Sequence, residues 1–233
     1  MGGRAKTSQT QSWPPRVIRG LTVTICHLGG IRGALVKAQQ MGPVDAATTS
    51  RCLVEFRCGL YAMSGICAGI PKSVSIGDLV LADQSFDYQA GKRNSTGTHE
   101  LEHRSVSAPG HVITKISACI DTTTIDQDLR TDALLRDEFK SGSTKIGPIA
   151  TGSAVINDLA VRKTIEAQGR NAHGIDMEVY AFYRALQLSG QNIDFFALKA
   201  VVDLADGDKQ DGFQKHGCVV AAKMTASFIE LFS

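Results

Sequence analysis

Phe195-Phe196-Ala197-Leu198-Lys199-Ala200-Val201-Val202-Asp203 is the stretch on which the reading of this chain turns. Up to Val202 it has the length and β-branching of a strand buried on both faces. Asp203 ends it. In open α/β sheets the crevice beyond the carboxyl ends of strands takes the ligand, so an acid at this point is well placed for chemistry. Upstream, Gly174-Ile175-Asp176-Met177-Glu178-Val179-Tyr180-Ala181-Phe182 reads as the first turns of a helix reaching Leu188. Ile175, Val179, Phe182 and Leu186 mark its apolar stripe by three- and four-residue spacing. Glu178 falls on the edge of that stripe, pointing toward packing rather than water. An acid on a buried helix face and an acid at a strand's end can aim two carboxylates at one small molecule. Taken alone, Glu178 is equally well read as a core carboxylate satisfied by backbone.

Outward from these segments, the pattern alternates strand and helix. Strands are expected at Leu21–His27, Cys58–Ile66, Gly77–Asp83, His111–Cys119 and Lys145–Thr151, and helices at Ala34–Met41, Asp126–Lys140, Asn157–Gln168 and Gln214–Phe232. The last helix would turn Val219, Val220, Met224, Phe228 and Leu231 inward. Residues 86–110 are polar and read as a long functional loop or an edge excursion. The alternation implies an α/β sheet covered on both faces. Residues 1–19 read as a flexible basic leader and residues 20–233 as one domain, the default for 233 residues.

Bulk composition narrows the partners. A net charge of +2 is spread along the chain without a Lys/Arg block interleaved with aromatics, which argues against nucleic acid. No apolar run approaches the ~20 residues of a membrane span, and the N-terminus has no signal-peptide core. The six cysteines form no Cys-x-x-Cys pair, which favours a reducing, cytoplasmic setting. Residues 1–44 contain no Asp or Glu, whereas Arg4, Lys6, Arg16 and Arg19 are basic. A disordered leader or the vestige of a longer protein fits this better than a transit peptide, because no amphipathic apolar face is visible.

Three motifs have competing readings. His99-Glu100-Leu101-Glu102-His103 satisfies both H-E-x-x-H and H-x-x-E-H. Zinc chemistry would need that segment on a stable helix, but Gly91, Asn94, Gly97, Pro109 and Gly110 crowd it, which favours a solvated loop or edge strand. The Gly29-Gly30-x-x-Gly33 turn could offer its amides to an anion or to sugar oxygens, and a plain tight turn is as good a reading. Cys67 reads as packing, since sequence places no His or acid beside it.

Taken in order, these pieces resemble the purine nucleoside phosphorylase and methylthioadenosine/adenosylhomocysteine nucleosidase superfamily from about Leu21 to the C-terminus. The turn holding Gly30 is similar to the family's glycine turn. Ser64-Gly65-Ile66-Cys67-Ala68-Gly69 followed by Ile76-Gly77-Asp78-Leu79-Val80 resembles its central signature. Ile149-Ala150-Thr151-Gly152-Ser153-Ala154-Val155-Ile156 resembles the strand whose end contacts the base. Asp176-Met177-Glu178 resembles the acid-Met-Glu triplet, and Val202-Asp203-Leu204-Ala205-Asp206 the segment bearing the catalytic Asp. The resemblance implies a single three-layer domain with a central mixed twisted sheet flanked by helices, and cleavage of a purine N-glycosidic bond. Asp203 would protonate the base at N7, with its pKa raised by burial. Glu178 would hold the ribose hydroxyls and Met177 would pack on the ribose. Val155 and Ile156 would line the base pocket, and Asp176, Gly65, Ile66 and Cys67 would complete the substrate site. It implies no metal or organic cofactor, and a homo-oligomer.

Two departures bear on the reaction. Met63 stands where phosphorylases carry a phosphate-gripping Arg, which argues for water as the nucleophile. The family's first strand, with the Glu that activates water, has no counterpart before Leu21; His27 and Asp87 are candidates to replace it. Hydrolysis of an adenine-type nucleoside or nucleotide is therefore expected. Phosphorolysis, a catalytically silent nucleoside-binding domain and a zinc hydrolase are the alternatives.

Overall fold

Alternation along the strand that contains Asp203 sorts the core into two layers. Phe196, Leu198, Ala200 and Val202 pack on one side with Val112, Ile116, Met224 and Phe228. Phe195, Ala197 and Val201 pack on the other with Val179, Phe182, Tyr183 and Leu186. Period-2 projection from a strand apolar on both faces produces this sandwich of helix, sheet and helix.

The computed structural model describes residues 11–28, 30–95, 99–120, 135–169, 171–207 and 212–233. In chain order the elements begin with β1 (Gln11–Ser12), β2 (Arg16–Ile18), β3 (Leu21–Leu28), β4 (Ile31–Val36) and α1 (Pro43–Val54). Next come β5 (Leu60–Gly69), β6 (Leu79–Asp87), β7 (Gly91–Arg93), β8 (His99–Leu101), β9 (Ser105–Ser107) and α2 (Gly110–Ile120). The chain ends with α3 (Asp137–Ser141), β10 (Thr144–Thr151), α4 (Leu159–Gln168), β11 (Gly174–Asp176), α5 (Val179–Gln187), β12 (Asp194–Asp203) and α6 (Gln214–Glu230).

Among the described residues the main sheet runs β10-β11-β5-β12-β6-β9. β10 also pairs with β6, so five of these strands close on themselves. β5 and β12 run one way, and β6, β10 and β11 run the other. The sheet is therefore mixed and has no common carboxyl edge. A second, antiparallel sheet joins β1 and β2 to one side of β3 and β4 to the other. Of residues 1–19, the first ten lie outside the described residues, while 11–12 and 16–18 pair as β1 and β2.

Several elements differ from expectation for identifiable reasons. Of the helix expected at Ala34–Met41, residues 34–36 belong to strand β4 and residues 37–41 are neither helix nor strand. Leu28 pairs with Ile31, and Gly30 takes φ 92° before it, so β3 and β4 form a hairpin where a helix opening was expected. The strand expected at His111–Cys119 is helix α2. Its Val112 and Ile116, four residues apart, are the buried face, and β-branching concealed that spacing. The helix expected from Gly174 is interrupted: Gly174–Asp176 pairs with β5 and β10 as β11, and the helix starts only at Val179. In α6, Val219 is exposed, and the buried face runs through Gly217, Val220, Ala221, Met224 and Phe228. Of the helix expected at Asp126–Lys140, residues 121–134 lie outside the described residues and Asp137–Ser141 is helical. The edge excursion at 86–110 contains β7–β8 and β9. His99–Leu101 is a strand, so the two histidines of the H-E-x-x-H string do not share a helix face.

Candidate active site

Lys199 lies in the middle of β12, on the face it shares with Phe195, Ala197 and Val201. A lysine there is costly to bury unless it is paired. Its side chain is 3 % exposed, and Nζ lies 3.0 Å from Asp176 Oδ2 and 2.8 Å from Glu178 Oε2. Burial alone would drive the ammonium toward neutrality, but the Asp176 and Glu178 carboxylates outweigh it and raise its pKa above the ordinary value. The same contacts act on Glu178. Burial opposes its charge, and the Lys199 ammonium and the Gly42 amide hold its carboxyl below the usual range.

Asp176 is the inner acid, with its side chain 1 % exposed. It accepts from Thr151 Oγ1 at 2.6 Å and from the Glu178 and Val179 amides at 3.1 and 3.0 Å. It thereby caps the start of α5 and ends β11 in one move. Thr151 in turn meets Ser85 Oγ at 3.0 Å, and Ser85 donates to the Ile149 carbonyl. The charged pair is thus rooted in β6 and β10. Glu178 is the outer acid: its side chain is 22 % exposed and its Oε1 accepts from the Gly42 amide at 3.3 Å. Gly42 sits at φ 116° immediately before α1, and a Cβ there would come within 4.0 Å of Met177 Cε. Gly42, Met177 and Glu178 therefore adjoin one another.

Strand register brings Asp203 toward the same region. Asp203 pairs with Ala68 of β5, and Ala68 pairs with Ile175 of β11. Only one strand separates Asp203 from the segment that carries Asp176 to Glu178. Cys67, beside Ala68, is buried, and its thiol is pushed far up chiefly by desolvation; the Asp176 and Asp203 charges add to this. Such a thiol is a packing group, not a nucleophile. Asp203 Oδ1 accepts from the Ala205 amide at 3.0 Å, and Ala205 itself holds φ 50°. Arg162 of α4 clasps this turn, donating to the Leu204 carbonyl at 2.6 Å and pairing with Glu166 at 3.1 Å.

The remaining expected residues divide. Gly65 pairs with Lys199 in register, and a Cβ on it would lie 3.1 Å from Nζ, so the glycine makes room for the lysine. Ile66 points the other way, packing in the α6 layer, so only its backbone could serve the site. Ile156 packs beside Tyr88 and Phe86, whereas Val155 is 54 % exposed. The 152–154 segment is held by Gln89 Oε1, which accepts from the Ser153 amide at 2.7 Å. Gly30 stands apart: it lies in the hairpin of the second sheet with nothing within 4 Å of its Cβ position. Among the described residues no group of three metal-ligating side chains converges. No helix there is long and apolar enough to cross a membrane. Lys199, Gly42, Thr151 and Arg162 were not anticipated. A lone lysine inside an apolar strand was the visible signal for the first.

The model of the phosphorylase superfamily matches residues 3–230. A Sinorhizobium fredii protein designated y4jS is 27% identical over 193 residues, 79% of this chain and 46% of the relative. A 5'-methylthioadenosine/S-adenosylhomocysteine nucleosidase of Staphylococcus haemolyticus is 24% identical, covering 89% of this chain and 87% of its own. ATP nucleosidase Cap17 of Escherichia coli is 24% identical over 87% of this chain and 42% of its own. The chain thus spans under half the length of y4jS and of Cap17. A Neisseria meningitidis nucleosidase, solved with methylthio-immucillin-A, superposes with a TM-score of 0.74 at 18% identity, covering 97% of this chain and 90% of that one.

Proposed function

The chain belongs to the phosphorylase superfamily, and on that premise we propose that it hydrolyses the N-glycosidic bond of an adenine-type nucleoside or nucleotide. One observation carries the reading: a chain of buried charges, Asp176–Lys199–Glu178, ends in a single partly exposed carboxylate beside Met177 and Gly42. An anion held rigidly at the end of such a chain suits the hydroxyls of a ribose. Its hydrogen bonds strengthen as the sugar becomes cationic, so the contact favours the transition state over the ground state.

In the proposed reaction the C1′–N9 bond breaks and its electron pair moves into the purine. Asp203 supplies a proton or hydrogen bond at N7, and water adds at C1′ with loss of a proton. The Arg162-clasped turn holds Asp203 in place. Met63 in β5 supplies no charge to grip phosphate, which favours water as acceptor. Methylthioadenosine, adenosylhomocysteine and ATP are the substrates to compare, since relatives carry those names. The six cysteines form no disulfide with one another, in keeping with a reducing, cytoplasmic compartment. Met41 and Val44, close to Gly42 in the chain, are exposed, in keeping with cover by a second copy of the chain.

The test is chromatography of free adenine released from those three substrates and adenosine, with and without phosphate. Adenine in both conditions supports hydrolysis, and adenine only with phosphate makes it a phosphorylase. Calorimetric binding without release makes it a silent binding domain.

A further inference from the structure

A cavity of about 380 Å³, lined by none of these acids, is formed by Trp13, Pro14, Arg16, Ile25, His27 and Arg32. It is built by the second sheet. Leu21 and Val23 of β3 are buried against the body of the protein, and the same face continues outward through Ile25 and His27. β1 and β2 are two halves of one strand interrupted by Pro14-Pro15, which cannot continue the ladder. The Trp13 amide still donates to the Ile25 carbonyl at 3.0 Å, and its indole meets the His27 ring edge-on at 5.0 Å. Arg16 pairs with Val23 on one side of β3, and Arg32 pairs with His27 on the other. Two guanidinium groups therefore bracket a floor of indole and isoleucine. No acid lines the cavity, and residues 1–44 contain none.

We infer that this cavity binds a small aromatic polyanion of the nucleoside di- or triphosphate class, its ring against Trp13 and Ile25 and its phosphates toward the two arginines. The volume falls within the range of small-molecule sites. The indole face offers stacking that tolerates any base, and guanidinium is the side chain best matched to phosphate. Two positive charges without an acidic neighbour in the cavity favour an anionic occupant over a neutral one. The site shares no lining residue with the proposed reaction centre and does not rest on it.

Trp13 is the sole tryptophan of the chain, so its emission reports on this cavity alone. The experiment titrates Asp203→Asn protein with ADP, adenosine and pyrophosphate, following tryptophan fluorescence, and repeats the ADP titration by calorimetry. Expected is saturable quenching by ADP that weakens as salt is added. Binding should fall about tenfold or more in Arg16→Ala and in Arg32→Ala, each with an unchanged thermal midpoint. Adenosine quenching as strongly as ADP, without salt dependence, overturns the anionic assignment. Emission that changes with protein concentration but not with ligand makes the cavity a self-association surface and also overturns it. So does a flat response to all three compounds.

Discussion

Lys199 Nζ lies 2.8 Å from Glu178 Oε2 and 3.0 Å from Asp176 Oδ2, so one buried ammonium holds two acids that flank the start of a helix. Lys199→Met removes the only described cation in that contact and leaves both carboxylates facing each other. Breaking a buried pair by deleting one partner costs about 3–5 kcal/mol. Urea denaturation of Lys199→Met should show a loss of that order, and a loss below ~1 kcal/mol would mean the cluster contributes little to the fold.

Glu178→Gln keeps shape and removes charge. With activity established on any nucleoside, this change should lower kcat/KM by about a hundredfold, because the charged hydrogen bonds to the sugar are those that strengthen at the transition state. Asp203→Asn should lower kcat by about a hundred- to ten-thousandfold, the range for a general acid. Circular dichroism unchanged from the parent protein separates these losses from misfolding.

Stability should depend on pH through Glu178. Its folded pKa lies below its ordinary value of 4.5, so its contribution is present above that value and is lost as pH falls through the folded pKa. The Lys199 shift is opposite in sign: its contribution is present below 10.5 and is lost only in stronger alkali. Denaturant midpoints should therefore drop as the pH goes below about 4.5, and the drop should be shallower in Glu178→Gln. Equal pH profiles for the two proteins would contradict this.

Gly42→Ala tests the other contact to Glu178. At φ 116° a side chain is strained whatever the space, by about 1–3 kcal/mol. The amide that donates to Glu178 should shift with it. The expected outcome is a raised KM alongside the stability loss, read from initial rates and thermal unfolding. A stability loss with KM unchanged would place Gly42 outside the sugar site.

How far the sequence disclosed this arrangement depends on what each signal measures. β12 was readable because an apolar, β-branched run has one stable home, the centre of a sheet. The two acids stood out because each interrupts such a pattern. The helix start was misplaced because Ile175 fits both a helical stripe and a strand; only pairing with β5 and β10, which is non-local, decides between them. The Gly30 turn was read as a helix opening because diglycine serves either use. The resemblance placed Ile66 in the site together with Gly65 and Cys67, although neighbours in a strand face opposite layers. Arg162 was invisible for a different reason: its tie to the Asp203 turn is to the Leu204 carbonyl, which leaves no trace in residue type.

The self-closing path of β5, β12, β6, β10 and β11 has a bearing on how such a protein could diversify. Each strand that bears an acid is locked between two neighbours, so the distance separating the carboxylates is insulated from whatever happens at the periphery. Hairpins, termini and the outer sheet can be rebuilt while the spacing of those acids stays as it was.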